Sequence, residues 1–241
     1  MANFLNKLFG KKRKNTSNVP EIVVSDTPGS LNESYVRLRD NVIYYSDGGK
    51  NKVFQIESSV SGEGKSTVSS NLAVSLGKSG KKVLLIDLDF RKPVIHKIFN
   101  VTNFNGIVEY MLDECTKEEL IKTTEYGIDI INRGKVAHNT SIIFMSEKFK
   151  ALINELKESY DIVILDCPPV YQISDYIHIA KISDSVIFIV SKGKVRRSQV
   201  KESIELLNRE NVNIFGTIVT SQDNYKKSSY GYGYYGYYSE K

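Results

Sequence analysis

The segment from residue 53 to residue 79 constrains the fold of this chain more than any other. An apolar stretch, VFQIES (53–58), runs into the loop SVSGEGKST (59–67), and a helical pattern follows. The spacing matches G-x-x-x-x-G-K-[ST], with Ser59 standing at the first glycine. A strand, a glycine-rich turn and a helix in this order predict a phosphate-binding loop (P-loop) at the end of a buried strand.

Each residue type in this loop has a chemical reason. Gly62 and Gly64 let backbone N–H groups turn towards phosphate oxygens, and the amino end of the helix adds a positive dipole. Lys65 is placed to bind the β- and γ-phosphates, and the Ser66 hydroxyl to ligate magnesium. ATP and Mg2+ are therefore the predicted cofactors. The predicted nucleotide-binding residues are Ser61, Gly62, Glu63, Gly64, Lys65, Ser66 and Thr67.

Two further apolar stretches end in carboxylates. DIVILDCPP (161–169) supplies Asp166, the second carboxylate with which a P-loop protein holds its metal. LLIDLDFRKP (84–93) supplies Asp87 and Asp89, which alternate onto one side of the chain, with Arg91 next in the series. One of the two acids can help to hold hydrated magnesium while the other accepts a proton from an attacking hydroxyl. The candidate catalytic residues are Lys65, Asp87, Asp89 and Arg91, and the candidate metal ligands are Ser66, Asp89 and Asp166.

Strand-like and helix-like stretches alternate along the middle of the chain. The predicted strands are 53–58, 82–87, 128–132, 161–166, 185–190 and 214–219, and the predicted helices are 31–45, 65–79, 106–113, 117–123, 146–159, 175–181 and 197–209. The strands are short and rich in Val and Ile, which is typical of a parallel sheet whose two faces are both covered by helices. Right-handed crossovers then give an α/β fold with a doubly wound, mostly parallel sheet.

The two ends of the chain differ in composition from the middle. Residues 1–30 are polar and basic and predict a flexible arm, so the folded domain is expected to span 31–221. Residues 222–241 interleave tyrosine with glycine and serine and contain no aliphatic residue, which predicts a mobile tail because no core can be built from it. The tail holds seven of the fifteen tyrosines: Tyr225, Tyr230, Tyr232, Tyr234, Tyr235, Tyr237 and Tyr238.

Charge and cysteine usage limit the partners and the compartment. The net charge is +5, and the first fourteen residues carry five basic residues without an acid, so the remainder is neutral. This argues against a nucleic-acid partner and predicts electrostatic attachment only through the N-terminal arm. Phe4, Leu5, Leu8 and Phe9 precede KKRK (11–14), a pattern that fits weak binding to an anionic leaflet or, alternatively, a solubilising arm. Two unpaired cysteines and the lack of a long apolar run predict a cytoplasmic protein.

The motifs together resemble those of the bacterial tyrosine kinases that regulate capsular and exopolysaccharide synthesis. The resemblance covers most of residues 30–220 and rests on GEGKST, IDLDFRKP, VILDCPPV, Ser-Asp at 174–175 and the tyrosine cluster. It implies a P-loop fold like that of MinD and ParA, and autophosphorylation of the tail. It also implies that Lys65 and Ser66 bind phosphate and magnesium, that Asp87 activates the tyrosine, and that Asp89 and Asp166 bind magnesium.

The resemblance implies partners as well. In Gram-positive members the kinase is a separate cytoplasmic protein, recruited to the inner face of the plasma membrane. A membrane-protein activator of the polysaccharide co-polymerase type recruits it through a cytoplasmic tail. A cognate tyrosine phosphatase and a homo-oligomer formed by tail exchange are also implied. The chain departs from the family pattern at Ser61 (usually Pro), at Val36 (the first Arg of an E-x-x-R-x-x-R motif spanning 33–39) and at Thr220 (commonly Asn).

Two other classes of function fit part of the sequence. A switch ATPase of the MinD/ParA type would carry a signature lysine early in the loop, where this chain has Val60. A catalytically weak regulatory subunit that binds ATP would use the same binding residues as an active kinase. The tyrosine tail favours the autokinase over the switch ATPase.

Overall fold

The computed structural model describes residues 19–24, 29–46, 49, 51–137 and 139–221. The helices are α1 (Ser30–Ser46), α2 (Lys65–Lys78), α3 (Ile95–Ile98), α4 (Ile107–Met111), α5 (Lys117–Leu120), α6 (Thr140–Met145), α7 (Glu147–Ser159), α8 (Tyr176–Ala180) and α9 (Arg197–Arg209). The strands are β1 (Val53–Ser58), β2 (Val83–Asp87), β3 (Lys122–Thr123), β4 (Asp129–Ile131), β5 (Ile162–Asp166), β6 (Ser185–Lys192) and β7 (Ile214–Ser221). The terminal tyrosines and the basic N-terminal cluster lie outside the described residues.

The strands form a single seven-stranded sheet in the order β3-β4-β2-β5-β1-β6-β7. Neighbouring strands run parallel except β3 and β4, which pair antiparallel. Parallel neighbours end at the same edge, so the loops that follow β1, β2, β5 and β6 meet there. The predicted doubly wound, mostly parallel sheet is confirmed.

Helices cover both faces of the central strands. Alternate side chains of each strand point to opposite faces and pack into two separate hydrophobic cores. One core joins Phe54 and Ile56 of β1 to Leu72 and Leu76 of α2. The other joins side chains of the opposite strand faces to α7, among them Val53, Leu84, Val163, Phe149 and Leu152. Burying each such side chain stabilises the fold by about 1.5–3 kcal/mol. This two-sided burial explains why the strand sequences read as continuous apolar runs.

The sheet departs from the prediction at both edges. Helix α5 ends at Leu120, and the last residues of the predicted helix 117–123 form β3 instead. The cause is local, because three of the four residues after Leu120 are β-branched and favour an extended strand. At the other edge, β7 alternates between half-buried and exposed residues, and Val219 is 67% exposed. The expectation that both faces are covered is therefore wrong for β7.

Packing begins before the predicted domain boundary at residue 30. The Asn71 side chain of α2 accepts a hydrogen bond from the Val23 amide at 2.7 Å and donates to the Glu21 carbonyl at 3.0 Å. Val24 is buried in the core beside α2. The short helices α3 and α6 were not predicted, since neither is long enough to show a helical period. None of the helices in the described ranges has the length and hydropathy that a membrane crossing requires.

Candidate nucleotide-binding and phosphotransfer site

The loop between β1 and α2 has the backbone shape of an anion site. Gly62 and Gly64 have φ angles of +81° and +99°, which strain any residue with a side chain. No side chain caps α2 at Gly64, so the amides of its first turn remain available to a ligand. Lys65 is 6% exposed, and its Nζ donates to the Ser58 hydroxyl at 3.1 Å. The loop therefore offers backbone donors and a buried ammonium group to a phosphate.

Two buried carboxylates lie side by side at the same edge of the sheet. Asp87 ends β2 and Asp166 ends β5, and the two residues are partners in the register of these neighbouring strands. Both are fully buried, and no described donor forms a well-aligned hydrogen bond with either Asp166 carboxylate oxygen, although the Ser66 and Ser69 hydroxyls lie near enough to lower its pKa. A buried carboxylate in this state is costly unless a ligand or cation satisfies it. This observation makes Asp166 a candidate ligand for a cation.

The electrostatics of Asp166 support the same conclusion. Burial raises the pKa of its carboxyl to about 6, although the nearby Ser66 hydroxyl and the Lys65 charge lower it. No group of three or more His, Cys, Asp or Glu residues in the described part of the chain could hold a metal on its own. Magnesium, however, keeps most of its waters and needs only one or two carboxylates plus substrate phosphates. The residues present fit a cation of that kind.

Asp87 is fixed by the loop that follows it. One of its oxygens accepts hydrogen bonds from the amides of Val94 at 3.0 Å and Ile95 at 3.1 Å, and the other accepts from the Asp89 amide at 3.2 Å. Burial, and then the neighbouring Asp166 charge, raise the pKa of Asp87 well above its ordinary value. The Asp87 carboxyl therefore has a fixed orientation and a high proton affinity.

Asp89 and Arg91 lie further out on the same loop. Asp89 is half-buried, and its carboxylate accepts a hydrogen bond from the Lys92 amide at 3.0 Å. Arg91 is exposed. A molecule that approaches from solvent thus meets Asp89 before it meets Asp87.

Three contacts attach the phosphate loop to the ends of β6 and β7. The Glu63 carboxylate, 1% exposed, accepts hydrogen bonds from the Val60 amide at 2.7 Å and the Ser191 amide at 2.9 Å. The Glu63 carbonyl accepts from the Thr220 hydroxyl at 2.9 Å. Lys194, beyond β6, donates its Nζ to the Gly62 carbonyl at 2.7 Å. The Glu63 side chain therefore braces the loop, and its backbone remains next to the phosphate site.

A cavity of about 750 Å³ opens beside the loop. Its walls are α1, the loop itself and the end of β7, including Tyr35, Leu38, Gly64, Thr67 and Thr220. Its size is in the range of small-molecule sites, and its walls combine apolar side chains with the polar loop. None of the three aspartates is among its lining residues. The loop thus has the cavity on one side and the carboxylates on another.

Comparison with known proteins decides the family. A family profile described as an AAA domain matches residues 51–213. Tyrosine-protein kinase YwqD of Bacillus subtilis (strain 168) is 32% identical over 224 residues, which are 92% of this chain and 94% of that one. The putative tyrosine-protein kinase CapB of Staphylococcus aureus is 31% identical, with coverage of 92% and 98%. The chain belongs to the bacterial tyrosine-protein kinases.

Solved structures agree with this assignment. The kinase domain of Escherichia coli tyrosine kinase ETK superposes with a TM-score of 0.80 at 29% identity, covering 96% of this kinase and 92% of that domain. The septum site-determining protein MinD of Pyrococcus horikoshii superposes with a TM-score of 0.60 at 24% identity over 70% of each chain, a likeness of fold alone. The predicted family and the predicted MinD-like P-loop fold are both confirmed.

The fold brings together the residues that the sequence predicted for the kinase site. The loop residues 61–67 and the acids Asp87, Asp89 and Asp166 all lie where β1, β2 and β5 end. Ser61, Ser66 and Thr67 are half-buried on this loop. The seven tail tyrosines lie outside the described residues, so their position relative to the site stays a prediction.

Two features of the kinase site escaped the sequence reasoning. Ser58 positions Lys65, but a serine at a strand end carries no distinctive signal. Lys194 belongs to the run KGKVRR (192–197), whose charge is visible in the sequence. The zero net charge outside the N-terminus conceals this local cluster, which begins at the last residue of β6.

Proposed function

We propose that this tyrosine kinase transfers the γ-phosphoryl group of ATP, with Mg2+, to the tyrosines of its own C-terminal tail. The observation that carries the proposal is the in-register pair Asp87 and Asp166 beside the phosphate loop, with no well-aligned hydrogen bond from a described donor to either Asp166 oxygen. Phosphoryl transfer needs positioning and charge neutralisation more than covalent chemistry by the protein. A buried lysine and a cluster of carboxylates at one sheet edge supply both.

The nucleotide would span the two sides of the loop. The base and ribose would occupy the cavity between α1 and β7, and the phosphates would meet the loop amides and Lys65. Ser66, Asp89 and Asp166 would hold the magnesium. When bound, Mg2+ neutralises charge on the β- and γ-phosphate oxygens. Thr220, where the family commonly has Asn, lines the cavity and would face the nucleoside.

Asp87 is proposed as the group that accepts the tyrosine proton. Its raised proton affinity suits a base, since a carboxyl with an ordinary pKa binds a proton weakly at neutral pH. The hydrogen bonds from Val94 and Ile95 hold one carboxylate oxygen and orient the group. Because Asp87 is fully buried, the tyrosine hydroxyl must enter past Asp89 and Arg91 to reach it.

The acceptor is proposed to be the tail of a neighbouring chain. Exposed apolar side chains lie on the segments that follow β2, β4 and β5, and they suit an extended peptide rich in tyrosine and glycine: Phe104, Val136, Ile142, Met145 and Tyr171. Seven tyrosines in one segment fit repeated approaches from outside. Tail exchange would also hold a homo-oligomer together until phosphorylation separates it.

The biological setting is proposed from the family. The kinase would regulate synthesis or export of a capsular or extracellular polysaccharide. A membrane-protein activator would recruit it to the inner face of the plasma membrane, and a tyrosine phosphatase would reverse the modification.

Phosphosite mass spectrometry after incubation with ATP and Mg2+ tests the reaction. We expect phosphate confined to residues 225–238, and none on a Lys65→Met control. A full-length chain with all seven tail tyrosines changed to Phe is then mixed with the Lys65→Met chain. Phosphate on the Lys65→Met tail supports transfer between chains. An unlabelled Lys65→Met tail, where wild type labels itself, would show transfer within one chain.

A further inference from the structure

A dense basic cluster lies at the turn between β6 and α9. Lys192, Lys194, Arg196 and Arg197 are four cations in six residues without an acid, and all four are exposed. None of them forms an ion pair with another described residue. On most protein surfaces, acidic residues near the exposed cations offset their positive charge. A patch that carries only positive charge therefore indicates an anionic partner. These four residues are called the basic turn.

The chain itself brings an anion-forming segment to the basic turn. Strand β7 runs parallel to β6, and Ser221 is the register partner of Lys192. The tyrosine-rich tail therefore begins at the strand end adjacent to the basic turn. Tyr225 is four residues beyond Ser221, which limits its distance to about 14 Å, and Tyr238 can lie no further than about 60 Å away.

Phosphorylation would reverse the charge of this tail. Without phosphate it carries three lysines against two acids, so the basic turn does not attract it. Each phosphotyrosine adds roughly −1.5 to −2 charges, so two change the net charge of the tail from +1 to about −2 or −3. Adjacent arginines offer planar forks that bind phosphate oxygens in pairs, which lysines alone cannot do.

We propose that the basic turn is a phosphotyrosine-binding site for the phosphorylated tail of the same chain. The inference rests on the proposed function, which supplies the phosphate. Lys194 is already held by the Gly62 carbonyl, so part of the site is ordered before the ligand arrives. Tethering to β7 gives the tail a local concentration of about a millimolar, so modest intrinsic affinity suffices. A bound tail is removed from the carboxylate cluster, which leaves that cluster open to an unmodified tail.

Peptide binding tests the site without requiring kinase activity. A fluorescent peptide of residues 222–238, phosphorylated at Tyr225 and Tyr230, is titrated into dephosphorylated full-length protein in the absence of ATP. We expect salt-sensitive binding, at least tenfold weaker for the unphosphorylated peptide and at least tenfold weaker for Arg196→Gln/Arg197→Gln. The matched control is Lys201→Gln/Arg209→Gln, which removes equal charge from exposed positions further along α9 and should bind like wild type.

Two results would overturn the proposal. Equal weakening by both double variants would show attraction to overall charge instead of a site. The second result has two parts: Arg196→Gln/Arg197→Gln binds the phosphopeptide like wild type, but it no longer binds phosphatidylserine vesicles that wild type binds. That result would assign the basic turn to a membrane surface. Because the peptide is synthetic, failure of the chain to phosphorylate itself would refute the proposed function and leave this measurement valid.

A second measurement uses the intact system. In autophosphorylated full-length protein, a tail bound to the basic turn is shielded from an added tyrosine phosphatase. We expect the Arg196→Gln/Arg197→Gln chain to lose phosphate at least several-fold faster than Lys201→Gln/Arg209→Gln. Equal rates would contradict binding of the tail in its own chain.

Discussion

Replacing Glu63 by Gln should weaken ATP binding through the shape of the phosphate loop. The Glu63 carboxylate joins the Val60 amide inside the loop to the Ser191 amide at the end of β6. A glutamine keeps one carbonyl oxygen as an acceptor, but its NH2 group must then face the second amide. One buried N–H therefore loses its partner, and the loop loses one of its attachments to the sheet.

The size of the effect follows from that lost contact. An unsatisfied buried donor costs about 1–3 kcal/mol, and the carboxylate bond that it replaces is of the stronger, charge-assisted kind. For a domain of this length, 1 kcal/mol lowers the melting temperature by about 2–4 °C, so we expect a fall of roughly 2–12 °C. In the Glu63→Gln variant, ATP binding must also return the loop to its wild-type geometry. If that step costs about 1.4 kcal/mol of binding free energy, ATP binds tenfold more weakly.

Glu109→Gln is a matched control for Glu63→Gln. The Glu109 carboxylate, also buried, accepts hydrogen bonds from the Gly106 and Lys135 amides at 3.1 Å each, but it braces the loop after β4 and not the phosphate loop. Both variants are compared by thermal unfolding and by titration with a fluorescent ATP analogue, and Glu109→Gln, whose Oε2 position accepts from both amides, should lose no more stability than Glu63→Gln. Only Glu63→Gln should bind the analogue at least tenfold more weakly. Wild-type affinity in Glu63→Gln, or equal weakening in both variants, would refute a positioning role for Glu63.

Three further predictions concern buried charges. Lys65→Met and Asp166→Asn should each weaken magnesium-dependent ATP binding by at least tenfold in the same titration, since one removes a phosphate-binding charge and the other a metal carboxylate. Asp87→Asn should keep the ATP affinity within a few-fold and abolish tail phosphorylation; a loss of affinity as large as that of Lys65→Met would contradict its role as base. Glu57→Gln should change the pH dependence of stability, because burial raises the pKa of Glu57 to about 8. The folded protein binds a proton there that the unfolded chain releases above about pH 4.5, so wild-type stability falls between pH 4.5 and 8 by up to about 5 kcal/mol. Urea unfolding at pH 5 and pH 8 should show a smaller fall for Glu57→Gln, and parallel curves would exclude a protonated Glu57.

The part of the candidate site that contains Lys65 and the aspartates was predictable because its sequence signals are local. A strand, a glycine turn and a helix in consecutive order determine where Lys65 and Ser66 lie. The aspartates end apolar strands, and strands of a parallel sheet end at one edge, so Asp87 and Asp166 were expected at the same edge of the sheet. Their exact register partnership needed the strand order, which the sequence does not encode locally.

The contacts that support the phosphate loop were not predictable, because they join residues that are far apart in the sequence. The brace from Glu63 to Ser191 joins residues 128 positions apart, and it exists only because β6 lies next to β1. The motif places Glu63 in the loop but does not reveal that its side chain points into the protein. The strand β3 was missed because two residues show no period. The exposed face of β7 was missed because Ile214–Val219 reads like a covered strand.

The phosphate loop is hydrogen-bonded to β7, the outermost strand of the sheet, and the tail continues from the end of that strand. Thr220, one residue before β7 ends, donates to the Glu63 carbonyl, and Ser191, directly before the basic turn, donates to the Glu63 carboxylate. Whatever binds the basic turn acts on a segment that already contacts the loop at Gly62 and Glu63. A phosphorylated tail drawn towards Lys194 would share its ammonium group with the Gly62 carbonyl, since that group has three N–H donors. The phosphopeptide of residues 222–238 should therefore alter the ATP affinity of wild type but not that of Lys194→Gln, which lacks the shared contact.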